Sequence, residues 1–217
     1  MTSRPSRLPI QSLVFDLGAV LLNWQPAQIV SGFTNDVQLQ QLLLDAVFLS
    51  DTWKAMDRGD ITEQEARFRF ARDSQLSAKQ IESLMTLIKE SLTPIEPMVE
   101  AVLMLKAAGY PVFGLSNICQ ELFDHVSSRY AFFNAFDDLI VSAAVKLAKP
   151  ETAIYRLMLE RFQVQPHTTL FIDDRQDNIA SATRLGIQTL HCDNPTVVAN
   201  QLKQLLFATQ SPNGETP

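Results

Sequence analysis

Twice in this chain a short apolar run ends in aspartate: Leu13-Val14-Phe15-Asp16 and Leu170-Phe171-Ile172-Asp173-Asp174. Apolar runs of this length without polar alternation belong to strands covered on both faces, as in parallel sheets. Sites of open α/β sheets lie beyond the carboxyl ends of the strands. Two such strands therefore direct acids out of one edge, where the acids repel unless a positive charge separates them. A hard divalent cation, Mg²⁺ above all, meets that need with oxygen ligands.

The rest of the chain extends the pattern. Strand signals at residues 13–15, 112–115, 139–142, 170–172 and 188–191 alternate with helical patterns at 98–108, 121–130, 152–162, 179–185 and 197–207. Strand–helix alternation predicts an α/β fold with a doubly wound, Rossmann-like parallel sheet. Gly109 and Gly186 follow helical stretches and mark their ends. Residues 25–93 break the rhythm, with no strand signal. Thr62-Glu63-Gln64-Glu65 and Ser77-Ala78-Lys79-Gln80 are capping-box patterns that open helices. Ile81, Leu84, Met85 and Ile88 follow at helical spacing, a stripe read as core rather than as a binding surface. The predicted organisation is a discontinuous core of residues 1–24 and 94–208, a helical cap of 25–93 placed as a lid at the mouth of the site, and a flexible tail of 209–217.

Composition narrows the function classes. In 217 residues, 46% hydrophobic content supports a full core, and a net charge of −6 without a basic run speaks against nucleic-acid binding. No stretch approaches the roughly 20 apolar residues that span a bilayer, and no signal-peptide pattern follows Met1. Cys119 and Cys192 read as free buried thiols in a reducing, cytoplasmic setting. His125, His167 and His191 have no ligand spacing and read as structural. Oligomeric state has no signature.

Four short elements fall on strand ends: Asp16-Leu17-Gly18, Ser116-Asn117, Lys149-Pro150 and Asp173-Asp174. Singly, each also reads as a cap, a turn or a solvated side chain. Together they provide what phosphoryl transfer through an aspartyl-phosphate requires. There is a carboxylate nucleophile, a hydroxyl and backbone amides for phosphate oxygens, a fixed cation, and metal-binding acids.

With Phe15-Asp16-Leu17-Gly18-Ala19-Val20-Leu21, Leu115-Ser116-Asn117, Ala148-Lys149-Pro150-Glu151 and Phe171-Ile172-Asp173-Asp174, followed by Asn178 and Gly186, the chain resembles the haloacid dehalogenase-like hydrolases over residues 12–207. The branch indicated is that of cap-bearing phosphatases. Asp57-Arg58-Gly59-Asp60-Ile61-Thr62 is similar to a cap sequence of the glucose-1-phosphate phosphatases. The resemblance implies that Asp16 attacks phosphorus and that Ser116 and the Asn117 backbone hold phosphate oxygens. It implies that Lys149 neutralises Asp16 and the phosphoryl group. Mg²⁺ is then bound by Asp16, the Gly18 carbonyl and Asp173, with Asp174 orienting a metal-bound water or Lys149. Asn178 supports that loop or caps its helix. The substrate implied is a small phosphorylated metabolite.

One position departs from that pattern. Most such phosphatases carry a second aspartate two residues after the nucleophile as acid and base; here it is Gly18. Loss of such a group costs about 10²–10⁴-fold. Rates are then expected to depend steeply on leaving-group acidity, favouring anomeric sugar phosphates, unless Asp57 or Asp60 of the cap donates. Among cap cations, Arg58 is read as substrate-binding and Lys54 as solvated. Trp24 and Trp53 line the pocket or pack at the hinge. Four other readings compete. A 2-haloacid dehalogenase also lacks the second acid but has no use for Asp173-Asp174. A phospho-acceptor receiver places its acid pair first in the chain. A serine hydrolase elbow at Gly114-Leu115-Ser116 lacks the second glycine, since residue 118 is Ile118. The last is a non-catalytic binding protein of the same fold.

Overall fold

The computed structural model of the protein describes residues 10–208. Five parallel strands form one sheet in the order β3-β2-β1-β4-β5, with β1 Ser12–Phe15, β2 Val112–Ser116, β3 Asp138–Val141, β4 Thr169–Asp173 and β5 Gln188–His191. Central β1 alternates between two cores, which is why its run is continuously apolar. Leu13 and Phe15 pack into the larger cluster with Leu170 and Ile172, while Val14 faces the other side with Leu115, Ile140 and Phe171. The observed strands match those expected to within a residue or so. Ser142, read as strand, instead opens a short helix.

Residues 25–93, inserted after β1, hold five α-helices: α1 Pro26–Phe33, α2 Val37–Leu43, α3 Asp51–Arg58, α4 Glu63–Ser74 and α5 Ala78–Ser91. No strand forms in residues 25–93, so the inserted cap is helical. Both capping boxes are present with reciprocal bonds, Thr62 with Glu65 and Ser77 with Gln80. The stripe of Ile81, Leu84, Met85 and Ile88 is buried core. The core then continues through α6 Glu96–Ala107, α7 Gln120–Arg129, α8 Ser142–Val145, α9 Thr152–Arg161, α10 Gln176–Arg184 and α11 Pro195–Ala208. Gly109 and Gly186 adopt φ of +89° and +78° just past α6 and α10. The tail at 209–217 lies outside the described residues.

The strand order places the site. The chain moves outward from β1 to β2 and β3, then returns across the sheet to β4 and β5. The direction reverses at the β1–β4 pair, the crevice where open sheets hold their ligands. Phe15 pairs with Ile172 and the Asp16 N–H donates to the Ile172 carbonyl at 2.9 Å, so Asp16 and Asp173 leave the sheet side by side.

Candidate active site

Lys149 joins the two strand ends. Its Nζ lies 2.8 Å from Asp16 Oδ1 and 2.7 Å from Asp173 Oδ2, and 5.6 Å from the centroid of the Phe171 ring. The lysine is held from behind by Asn117, whose Nδ2 donates to the Lys149 carbonyl at 2.8 Å while its Oδ1 accepts the Lys149 N–H at 2.9 Å. Asp173 is fully buried and its oxygens are taken. Oδ1 accepts from the Arg175 N–H at 2.8 Å, and Asn178 Nδ2 lies 2.9 and 3.1 Å from the two oxygens. The Tyr155 hydroxyl steadies this arrangement through the Asn178 carbonyl at 3.1 Å. Ser116 is buried at the carboxyl end of β2. Gly18 lies in the tight loop after Asp16, beside the partly exposed Trp24.

Asp16, Asp173 and Asp174 bring oxygens within 4.8 Å of one another, against one lysine. Burial pushes the Asp16 carboxyl up to about 7; Lys149 opposes this and the charges of Asp173 and Asp174 add to it. Burial also raises Asp174, again with Asp173 adding. Desolvation alone would depress the Lys149 ammonium, yet the two carboxylates hold it above the ordinary lysine value. Asn178 Oδ1 is buried and has no hydrogen-bond partner among the described residues. An excess of hard oxygen donors, including one unused buried oxygen, fits a divalent cation such as Mg²⁺.

A stability prediction follows from these shifts. An acid whose folded value is raised stabilises fully below its unfolded value and loses that contribution as pH rises through the folded one. For Asp16 the window runs from 3.8 to about 7. Metal-free protein is expected to lose melting temperature as pH climbs through that window, and Mg²⁺ to raise it more at pH about 8 than at pH about 5. Melting curves with Mg²⁺ and with chelator across that range check this; a stabilisation independent of pH would contradict it.

Several expectations meet a different geometry. Asp173, not Asp174, makes the contact to Lys149, because Asp173 still belongs to β4 and shares a strand face with Phe171, over which the lysine lies. Asp174 is the less committed acid, half-buried past the strand end. Arg58, read as substrate-binding, forms an ion pair with Glu151 and lies 3.6 Å from Asp60, so it ties the cap to the Lys149 loop. Lys54, by contrast, is solvated as expected, pairing with Asp51 at 2.9 Å on the exposed side of α3. Trp53 is buried in an aromatic row with Trp24, Phe48 and Phe70.

Other positioning groups were not anticipated. The Asn117 side chain clamps Lys149, although only its backbone was expected to act. Ser142 bridges cap and core. His191 Nε2 lies 2.8 Å from the Asp174 carbonyl, donating to it and steadying the acid loop. None of these has a local sequence signal, since each acts on a residue 17 to 85 positions away.

Comparison with known proteins agrees with the family and the fold. The model of the haloacid dehalogenase-like hydrolases matches residues 13–192. A sesquiterpene phosphatase of Aspergillus oryzae is 26% identical, over 90% of this chain and 96% of its own length. A drimenol cyclase of Aspergillus calidoustus is 27% identical over 90% of this chain, which spans only 36% of that longer protein. A haloacid dehalogenase-like enzyme from Bacteroides thetaiotaomicron, crystallised with magnesium and inorganic phosphate, superposes with a TM-score of 0.65 at 28% identity, covering 84% of this chain and 93% of that one. Pseudomonas (S)-2-haloacid dehalogenases also match, over 44% of this chain.

Proposed function

The chain belongs to the haloacid dehalogenase-like hydrolase family, and from that premise we propose that it is a Mg²⁺-dependent phosphatase acting on a small phosphorylated metabolite through an aspartyl-phosphate. The observation that carries this reading is the buried Asp16–Lys149–Asp173 chain with a third acid, Asp174, beside it. In this reading the core, residues 1–24 and 94–208, does the chemistry, and the cap, residues 25–93, covers it.

Asp16 is the nucleophile. Lys149 holds its carboxylate ionised and aimed and meets the phosphoryl charge. The Ser116 hydroxyl and the Asn117 N–H receive phosphate oxygens, at the end of a strand where the neighbouring backbone is fixed by the sheet. Mg²⁺ would be held by Asp16, the Gly18 carbonyl, Asp174 and the Asp173 shell, and when bound would neutralise phosphoryl oxygens. A dehalogenase has no need of the Asp173-Asp174 pair, so the acid excess supports the phosphatase.

The substrate panel should contain both sugar and prenyl phosphates. An anomeric sugar phosphate is favoured by the absence of an acid at position 18. A prenyl phosphate is favoured by the aromatic wall at Trp24 and by similarity to a sesquiterpene phosphatase. Turnover of an aryl phosphate with Mg²⁺, and its loss with chelator, is the first test. Titrating Mg²⁺ in variants then assigns the ligands. Groups that only orient a ligand cost about 10–100-fold in metal affinity. Because the Asp173 oxygens are already occupied by Lys149, Asn178 and Arg175, Asp173→Asn is expected to fall in that range, and Asp174→Asn to exceed it. A larger affinity loss in Asp173→Asn would restore Asp173 as the direct ligand.

A further inference from the structure

An ester cleaved by Asp16 leaves an alkoxide, which departs slowly unless it is given a proton. The loop after the nucleophile supplies none, because position 18 is glycine. Backbone conformation does not impose that glycine. The left-handed residue of this loop is Ala19, at φ +56°, and a Cβ on Gly18 would meet only Trp24 side-chain atoms, at 3.7 and 3.8 Å. Asp173 and Asp174 act on Asp16, and Asp16 in turn acts on Asp57. Asp173 is engaged by three neighbours and Asp174 belongs to the proposed metal set. Asp57 is left without a role.

Asp57 comes from the last turn of α3, in the cap, and that turn is fastened to the catalytic edge at three points. The Ser142 hydroxyl donates to the Asp57 carbonyl and accepts the Ile118 N–H at 2.9 Å. Arg58 pairs with Glu151, two residues after Lys149. Gly59, at φ +80°, lies so close to Ala143 that a Cβ would collide with its carbonyl. The turn is thus held by α8 and by the loop after Lys149, and Ser142 carries the link on to the loop after Ser116. The Asp57 carboxyl accepts hydrogen bonds from the Trp53 ring N–H and the Cys119 backbone N–H, and it feels the charge of Asp16. Asp60, the other cap acid considered, is exposed and turned to Arg58.

We propose that the Asp57 carboxyl is the proton donor to the leaving oxygen and, once ionised, the base for the hydrolytic water; this rests on the phosphatase reading. In the first half-reaction an Asp16 oxygen bonds to phosphorus and the bond from phosphorus to the ester oxygen breaks. That oxygen keeps the electron pair and takes the Asp57 proton, leaving as alcohol. In the second, the Asp57 carboxylate takes a proton from water and the hydroxyl oxygen bonds to phosphorus. The bond from Asp16 to phosphorus breaks, returning Asp16 as carboxylate, Asp57 as acid and free phosphate. The environment suits the donor, since burial, against the two hydrogen bonds and aided by Asp16, pushes the carboxyl up to about 8 and keeps its proton at neutral pH. Delivery from the cap also couples the proton to closure over the substrate.

The test is the pre-steady-state rate of alcohol release across phosphate esters of graded leaving-group acidity, from nitrophenyl through phenyl to alkyl, in wild type, Asp57→Asn and Asp57→Glu. Asparagine keeps an oxygen for the Trp53 and Cys119 N–H groups. Wild type is expected to show a shallow dependence. Asp57→Asn should lose about 10²–10⁴-fold on alkyl esters while keeping a nitrophenol burst close to wild type, and phosphoenzyme should accumulate after that burst. Asp57→Glu, which retains an acid, should keep the shallow dependence at a lower rate. A steep series in wild type would overturn the proposal, leave the phosphatase intact, and return the preference to anomeric phosphates. Equal losses on nitrophenyl and alkyl esters in Asp57→Asn would also overturn it, leaving Asp57 a structural tie. Absence of turnover on every ester by wild type would sink the phosphatase reading and this inference with it.

Discussion

Asp16→Asn is expected to abolish phosphate release, with a fall on the order of 10⁴ to 10⁶ in kcat, the scale seen when the nucleophile of a cooperating catalytic set is removed. The substitution is nearly isosteric. The amide oxygen can still accept the Leu17 N–H that Asp16 Oδ1 accepts at 2.7 Å, so the loop keeps its shape. What disappears is the charge that Lys149 holds and the oxygen that bonds to phosphorus. Stability should move the other way. Asp16 is a raised acid in a cluster with more carboxylates than cations, so neutralising it relieves repulsion in the metal-free protein at pH about 8. The signature is therefore an inactive protein that melts no lower, and at high pH higher, than wild type. A variant that still releases phosphate at the wild-type rate would remove Asp16 from the chemistry.

Lys149→Met should damage both folding and catalysis. Lys149 is almost fully buried, and its ammonium is the cation in contact with Asp16 and Asp173. Removing one partner of a buried pair leaves the other charge uncompensated, at a cost of about 3–5 kcal/mol. In a chain of this size that is a fall of roughly 10 °C in melting temperature. Methionine keeps much of the apolar stem over Phe171, so the loss reports the charge rather than a cavity. A saturating divalent cation should recover part of the stability, because it binds the folded acid cluster and not the unfolded chain. It should not recover the rate, because the group that meets both Asp16 and the phosphoryl charge is gone. Calorimetry with and without Mg²⁺, beside initial rates, separates the two effects. Full recovery of turnover by Mg²⁺ would mean that the lysine serves only the fold.

Much of this was legible in the sequence because the sheet and its edge are written locally. A strand buried on both faces needs an unbroken apolar run, so Leu13–Phe15 and Leu170–Ile172 declare themselves, and the polar residue that ends each run marks the sheet edge. The helical insertion was readable from its capping boxes and from the absence of strand periodicity. Contacts across long separations were not readable. The division of labour between Asp173 and Asp174 depends on which strand face Lys149 crosses, and two adjacent acids look alike without that. Arg58 looked like a free cation because Glu151 is 93 residues away. Asp57 could be named as a cap acid but not placed, because its position depends on Ser142 and Ala143 in α8 and on Glu151 just before α9, all in the core.

Trapping the covalent intermediate tests the central claim most directly. The protein, with Mg²⁺, should be mixed with a phosphate ester carrying labelled phosphorus, quenched in acid within a turnover, and mapped by peptide. The account expects label on the peptide containing Asp16, stable in acid, lost in base or hydroxylamine, and absent in Asp16→Asn or with chelator. Steady release of phosphate with no label on Asp16 at any time, or label on a different residue, would contradict it.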